Sequence, residues 1–225
     1  MKTVSKNARP AGSHRPPQSR SVETRAGIMK AAARIFAESG LAGARTDAIA
    51  DAAGVNKALL YYYFKSKESL YQAVLEDHVS EFNKIALETL DTTAGSARSI
   101  LLQYVNLHFD FLSTRLLYAP LYQQLITSDG KMLKSLVTKY LVPRTVALRK
   151  LLERGMRDGE FRQADVFHTI ISIGSLTAFY FSVEPVVKLL GYSDIYSKAN
   201  LKRRKQEVLD FIQRGLFLDP KSPLK

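Results

Sequence analysis

The sequence predicts an all-α protein of about nine helices. Apolar residues recur at helical spacing through most of the chain. No stretch alternates apolar and polar residues with a strand period over a useful length. Glycine and proline fall between the periodic segments, at Gly40, Gly54, Pro120 and Gly159 for example, where helices must stop.

Taken in order, helix one spans residues 22–39, with Ile28, Ala32, Ile35 and Phe36 on one face and Gly40 as its stop. Residues 46–67 read as two short helices and a tight turn. Thr46 is expected to cap the first, whose apolar positions are Ile49, Ala50 and Ala53. Gly54 supplies the left-handed turn residue and Val55 fills the angle between the helices. Asn56 caps the second, which runs from Lys57 toward Phe64. Helix four starts at Ser66 and carries Leu70, Val74, Leu75, Val79, Phe82, Leu87 and Leu90 to Asp91. Further helices are expected over residues 94–115, 121–127 after a break at Ala119-Pro120, 131–157 with a kink at Pro143, 165–189 and 201–216. The string Gly155-Met-Arg-Asp-Gly-Glu-Phe161 forms the turn before the last two.

The chain has 225 residues, 46% of them hydrophobic, and no cysteine. Disulfides, thiol catalysis and thiolate-bound metals are therefore excluded, and a reducing cytoplasm is the expected location. His14, His78, His108 and His168 show no metal-ligand spacing, and no phosphate-cradling glycine loop or nucleophile elbow is present. Neither an enzyme nor a bound cofactor or metal is expected. The first 20 residues lack the apolar run of a signal peptide. Residues 170–183 carry no charge, but such a run is short of the roughly 20 residues a bilayer requires, so no membrane partner is expected.

Net charge is +12. Residues 1–65 hold 11 Lys/Arg against 4 Asp/Glu, and residues 66–225 hold 22 against 17, so positive charge is densest around the paired short helices. Residues 1–20, with Lys2, Lys6, Arg9, Arg15 and Arg20 and no acid, read as a disordered basic arm. Such an arm either tracks phosphates or adds only weak attraction. The cluster Lys202-Arg203-Arg204-Lys205 reads as a solvated helix start.

Two short helices at a glycine turn form a helix-turn-helix, the unit that lays its second helix in the major groove of DNA. Leu60, Tyr63 and Phe64 share one face of that helix, which leaves Lys57, Ala58, Tyr61 and Tyr62 pointing outward. Phenol hydroxyls donate to phosphates, and the rings pack on sugars and thymine methyls. The alternative is that these tyrosines pack on neighbouring helices.

The strings Ile-Met-Lys-Ala-Ala-Ala-Arg-Ile-Phe-Ala-Glu-Ser-Gly-Leu (28–41), Ile-Ala-Asp-Ala-Ala-Gly-Val-Asn-Lys (49–57) and Leu-Tyr-Tyr-Tyr-Phe-Lys-Ser-Lys-Glu-Ser-Leu (60–70) resemble the N-terminal domain of the tetracycline-repressor (TetR) family. The resemblance covers about a quarter of the chain, from Val22 to Leu75. It implies a three-helix DNA-binding domain over residues 21–66, a helical ligand-binding and dimerisation domain over 67–218, and a tail over 219–225. It implies a homodimer on double-stranded DNA at a palindromic operator, most commonly a repressor released by a small-molecule effector. A helical sensor or scaffold without sequence-specific DNA binding is the alternative. Carried over by position, Thr46 contacts phosphate, Asn56, Lys57, Tyr61 and Tyr62 lie on the reading helix, and Lys67 clamps a phosphate. Asp47 stands where some relatives have a base-reading arginine, Arg45 where many have a hydroxyl, and Leu59 where Thr or Ser is frequent.

The uncharged run 170–183 is apolar on all sides, which requires burial on all sides. Gly174, Ser175 and Ala178, with Val208, Leu209, Ile212 and Leu216 of the last helix, are therefore assigned to a four-helix dimer interface. Candidate pocket residues on the inner helices are Tyr104, His108, Phe109, Phe111, Tyr122, Gln123, Tyr140, His168, Phe179 and Tyr180. An aromatic at helical spacing is more often core than pocket, so the pocket is expected without any single residue being fixed.

Overall fold

The computed structural model describes residues 17–91, 94–127 and 130–219. Among them are eleven helices, nine of seven or more residues, and no strand. They are α1 (Pro17–Gly43), α2 (Thr46–Ala52), α3 (Lys57–Phe64), α4 (Lys67–Leu90), α5 (Ala97–Ser113), α6 (Tyr118–Thr127), α7 (Lys131–Leu136), α8 (Val142–Arg157), α9 (Val166–Ala178), α10 (Glu184–Leu189) and α11 (Lys198–Leu216).

α1 starts at Pro17, where proline's fixed φ suits the first helical position, so residues 17–20 of the expected disordered arm are helical. The rest of the expected arm lies outside the described residues, as do residues 220–225 of the expected tail. α1 breaks at Gly40, whose φ is +69°. Thr46 does not cap α2: it is the first helical residue, and Arg45 holds the cap position without a side-chain bond, because a guanidinium has no acceptor to offer. Gly54 turns the chain with φ +66°, and the Val55 amide returns to the Ala50 carbonyl at 3.0 Å. Ser66, Ser96 and Ser197 cap α4, α5 and α11, each accepting from the amide three residues on.

Proline places the other breaks. Pro120 lies inside the first turn of α6, which begins at Tyr118 and not after the proline. Before Pro143 the chain forms one π-helical turn, Val137–Leu141, between α7 and α8, so the single expected helix is divided there. The expected helix 165–189 is likewise two: α9 ends in a tight turn, Phe179–Phe181, and α10 restarts with Pro185 in its first turn.

Two apolar clusters organise the helices. The first gathers Ile28 and Phe36 of α1, Ile49 of α2, Leu60 and Phe64 of α3 and the first half of α4, and it continues into Leu121 and Leu125 of α6 and Leu136 of α7. Tyr71 of α4 stands edge-on to Phe36 and donates to the Leu121 carbonyl at 3.2 Å. The second cluster joins the rest of α4 to α5, α8, α9 and α11. Each fully buried Leu, Ile or Phe contributes about 1.5–3 kcal/mol relative to exposure.

The turn after α8 is fixed by two contacts. An ideal β-carbon on Gly155 would lie 2.2 Å from the Phe161 ring, so only glycine lets that ring pass. The Glu160 carboxylate accepts from the Ala97 and Arg98 amides, both at 2.9 Å, closing the start of α5. Phe161 pairs with Phe217 across an isolated antiparallel bridge, and their rings stack at 5.4 Å.

Candidate nucleic-acid interface and internal cavity

α3 is short because Asn56 starts it and Lys65, with φ +51°, ends it. Its inner face is fixed by Leu60 and Phe64, both buried, and by Tyr63, half-buried against the same cluster. Its outer face carries Lys57, Ala58, Tyr61 and Tyr62; Tyr62 is 77% exposed. The Asn56 Oδ1 accepts from the Leu59 amide at 2.8 Å, so its carbonyl end serves the helix and only the amide end is left for an external acceptor. Leu59 is half-buried and Arg45 exposed. The Thr46 and Tyr61 hydroxyls lie 3.4 Å apart, which brings the starts of α2 and α3 into one patch.

Lys57 pairs with Asp47 at 2.8 Å. That hydrogen bond holds the Asp47 carboxyl below the usual carboxylate range and raises the Lys57 ammonium. The acid therefore offsets part of the charge presented by α3. Lys67 donates to the carbonyls of Ala42 and Ala44 at 3.2 and 3.0 Å, tying the start of α4 to the α1–α2 connection. One of its three donors remains beyond those two bonds.

A cavity of about 290 Å³ opens among α4, α5, α6, α8 and α9. Its walls include His78, Phe82, His108, Tyr122, Arg144 and Phe181. Burial, and then the Arg115 charge, pushes the His78 imidazole down to about 3. Burial, then Arg144 and His78, pushes His108 down to about 3. Both rings are neutral near pH 7. Burial raises the Tyr122 phenol, so it remains a hydroxyl.

Of the pocket residues expected from sequence, His108, Tyr122 and Phe111 line this cavity. Tyr104 packs beside it against Phe82 and His108, and Phe109 packs on Phe181. The others lie apart from it. Gln123 is exposed and donates to the Ser182 carbonyl at 3.4 Å, Tyr140 donates to Glu76, and Tyr180 donates to the Ile195 carbonyl at 2.6 Å. His168 is exposed at the start of α9, and Phe179, in the turn that follows that helix, is 64% exposed. His78, Phe82 and Arg144 were not among the expected residues. His78 does share the apolar stripe of Val74, Leu75, Val79 and Phe82, and a histidine inside such a stripe was the available signal.

The assignment of faces on α9 and α11 requires correction. Val208, Ile212 and Leu216 are nearly inaccessible and pack on α5 and α9 of the same chain, with Leu209 half-buried beside them. Val208, Ile212 and Leu216 thus have almost no surface left for a second copy, whereas Leu209 keeps part of its own. Gly174 and Ala178 line the cavity. Ser175 is exposed, in a row with Phe167 and Ile171 on α9 and Phe179 in the turn after it, and Phe211 is exposed on α11.

Among the described residues no helix is long and apolar enough to cross a membrane, and no group of three or more His, Asp or Glu is placed to hold a metal.

Residues 28–74 match the family model for bacterial regulatory proteins of the tetR family, and residues 100–212 match the tetracyclin repressor-like C-terminal domain. The chain is 31% identical over 165 residues to the probable HTH-type transcriptional regulator YttP of Bacillus subtilis, covering 69% of this chain and 75% of that one. It is 32% identical over 164 residues to the HTH-type transcriptional repressor NicS of Pseudomonas putida, covering 70% and 75%. The fold matches the ketosteroid transcriptional regulator KstR2 of Mycobacterium tuberculosis with a TM-score of 0.71, at 21% identity over 87% of this chain and 95% of that one. The outward lysine and tyrosines of α3, the cavity behind α4 and these two family matches together place the chain in the TetR family of DNA-binding transcriptional regulators.

Proposed function

We propose that the chain is a homodimeric repressor that reads a palindromic operator with α3 and is released by a small molecule bound in the cavity. On this reading residues 21–66 form the DNA-binding part and residues 67–218 the effector-binding and dimerisation part. The observation that carries it is the outer face of α3, where Lys57, Tyr61 and Tyr62 are exposed beside Arg45 and Thr46. A lysine and two phenols on one short helix suit phosphate oxygens, sugars and base edges. Asn56, through its amide end, Leu59 and Lys67 border the same surface. Repression follows the name of the NicS relative.

The exposed apolar row Phe167, Ile171 and Phe179, with Phe211, supports a twofold interface built from α9 and α11. Two α3 helices so joined would enter successive major grooves about 34–36 Å apart. Two helices connect cavity and reader. α4 gives Leu70, Tyr71 and Val74 to the first cluster and His78 and Phe82 to the cavity, while α6 gives Leu121 and Leu125 to the cluster and Tyr122 and Ile126 to the cavity. A ligand that fits better in one placement of these helices than another shifts the spacing of the heads by that difference in affinity.

Selection of bound duplexes from a random DNA pool, at two salt concentrations, tests the reading. One palindrome should be recovered, with affinity falling steeply as salt rises. Sequence-blind binding alone would move the sensor-or-scaffold alternative ahead.

A further inference from the structure

The cavity carries one cation and no acid. None of its lining residues is Asp or Glu, and Arg144 is its sole Lys or Arg. The Arg144 guanidinium stands 5.0 Å over the Phe82 ring, and among the described residues no carboxylate lies within 4.0 Å of it. Three carboxylates on the adjoining elements are engaged elsewhere: Glu76 by Lys139 and Tyr140, Glu81 by Arg115, Asp110 by Lys205. A guanidinium cannot shed its proton, so a half-buried one beside apolar walls is stabilised by any anion that can reach it. Its planar fork matches a carboxylate.

A second group awaits a polar atom. His78, a residue of the cavity wall, is 3% exposed, and its buried Nδ1 has no hydrogen-bond partner. Five further rings stand in its walls, Phe82, Phe111, Tyr122, Phe181 and the neutral His108, with aliphatic side chains such as Val79, Leu112 and Leu141 between them. Flat apolar surfaces favour a flat apolar ligand through stacked and edge contacts. The cavity volume of about 290 Å³ lies at the small end of ligand pockets.

We propose that the effector is a small aromatic monocarboxylate, its anion held by Arg144 and its ring system by the aromatic walls, with His78 bonding a polar atom of the ligand. This rests on the cavity being the effector site, and it sets the chemical class that the site selects.

The probes are naphthoate, its uncharged isostere naphthamide, and the cation naphthylmethylamine, titrated calorimetrically into the full chain. Naphthoate should bind at least about tenfold more tightly than naphthamide, and the amine should not bind. Arg144→Met, which keeps an apolar stem, should lose about tenfold or more for naphthoate with naphthamide unchanged. His78→Phe should weaken naphthoate further than it weakens naphthamide. Equal binding of naphthoate and naphthamide by the unaltered protein would overturn the proposal without reference to any variant. Undiminished naphthoate affinity in Arg144→Met, or no binding of any of the three, would overturn it too. Operator release is read separately. Selective naphthoate binding that leaves DNA affinity unchanged removes the effector reading and keeps the ligand class. Operator binding that persists with no naphthoate binding does the reverse.

Discussion

The Thr177 hydroxyl on α9 lies 2.9 Å from Nδ1 of His108 on α5 and gives its own proton to the Ile173 carbonyl at 2.9 Å. With that proton on the carbonyl, the imidazole donates from Nδ1 in the first contact and Nε2 is left as an acceptor. Protonating His108 would place a second cation beside Arg144 in a ring-lined site.

That arrangement predicts an acid-sensitive fold. His78 and His108 are held near 3 in the folded chain and titrate near the ordinary imidazole value of 6.5 when unfolded. Between those values the unfolded state binds the extra protons. Stability is thus full above the unfolded value and falls as pH drops below it, by at most about 1.4 kcal/mol per pH unit for each ring. Urea midpoints should decline between about pH 7.5 and 5, corresponding to about 2 kcal/mol per histidine. His78→Phe and His108→Phe should each remove about half of that slope; an unchanged slope in both would assign it elsewhere. Asp47 and Glu76, whose pKa values are lowered, contribute in a lower window, losing their share only as pH falls past the ordinary carboxylate range.

Gly155→Ala should destabilise the chain by about 1–3 kcal/mol, because the added methyl meets the Phe161 ring at 2.2 Å. Gly27→Ala is the control. Nothing lies within 4 Å of that position in α1, so the helix should gain up to about 1 kcal/mol. Denaturant unfolding of the two variants should move in opposite directions.

Glu160→Ala should cost about 1–3 kcal/mol by freeing the Ala97 and Arg98 amides. Glu160→Gln keeps one acceptor oxygen and should lose less. Hydrogen exchange at the first turn of α5 should rise most in the alanine variant.

Asp47→Ala should raise DNA affinity and steepen its salt dependence, since Lys57 then meets phosphate without its internal partner. Lys57→Ala and Tyr62→Ala should each weaken specific binding while the circular dichroism stays unchanged. Filter binding at two salt concentrations separates these outcomes; operator affinity surviving both would mean that α3 is not the reader.

Ile171→Glu and Phe211→Glu should give monomers by sedimentation, because both side chains are exposed on the proposed twofold face. Val208→Glu, inside the protomer's own core, should instead unfold the chain. Dimers persisting in both surface variants would place the interface elsewhere.

These sites differed in how far the sequence could disclose them. The outer face of α3 was legible because its determinants are local: Asn56, Gly54, Leu60 and Phe64 lie within eleven residues, and their spacing alone fixes which side of α3 faces out. α9 defeated the same reasoning. A helix apolar on every side has no amphipathic stripe to orient it, so Phe167, Ile171 and Phe179 could not be told from Gly174 and Ala178 before packing was known. On α11 the stripe was legible, but an apolar stripe marks burial without saying in which chain. The cavity was least accessible of all. Its walls come from five helices far apart in sequence, and Arg144, which sets its charge, looks like any arginine on a polar helix.

Leu121 and Leu125 of α6, with Leu136 of α7, complete the apolar cluster that seats α3. For anyone building hybrid regulators, the transferable unit is consequently discontinuous. A graft ending after α4 would leave voids where those leucines stood and would expose the ring face of Phe36 and Tyr71. Swapping recognition specificity between relatives therefore calls for moving α6 together with α1–α4, or for repainting only the outer residues of α3 and leaving its seat untouched.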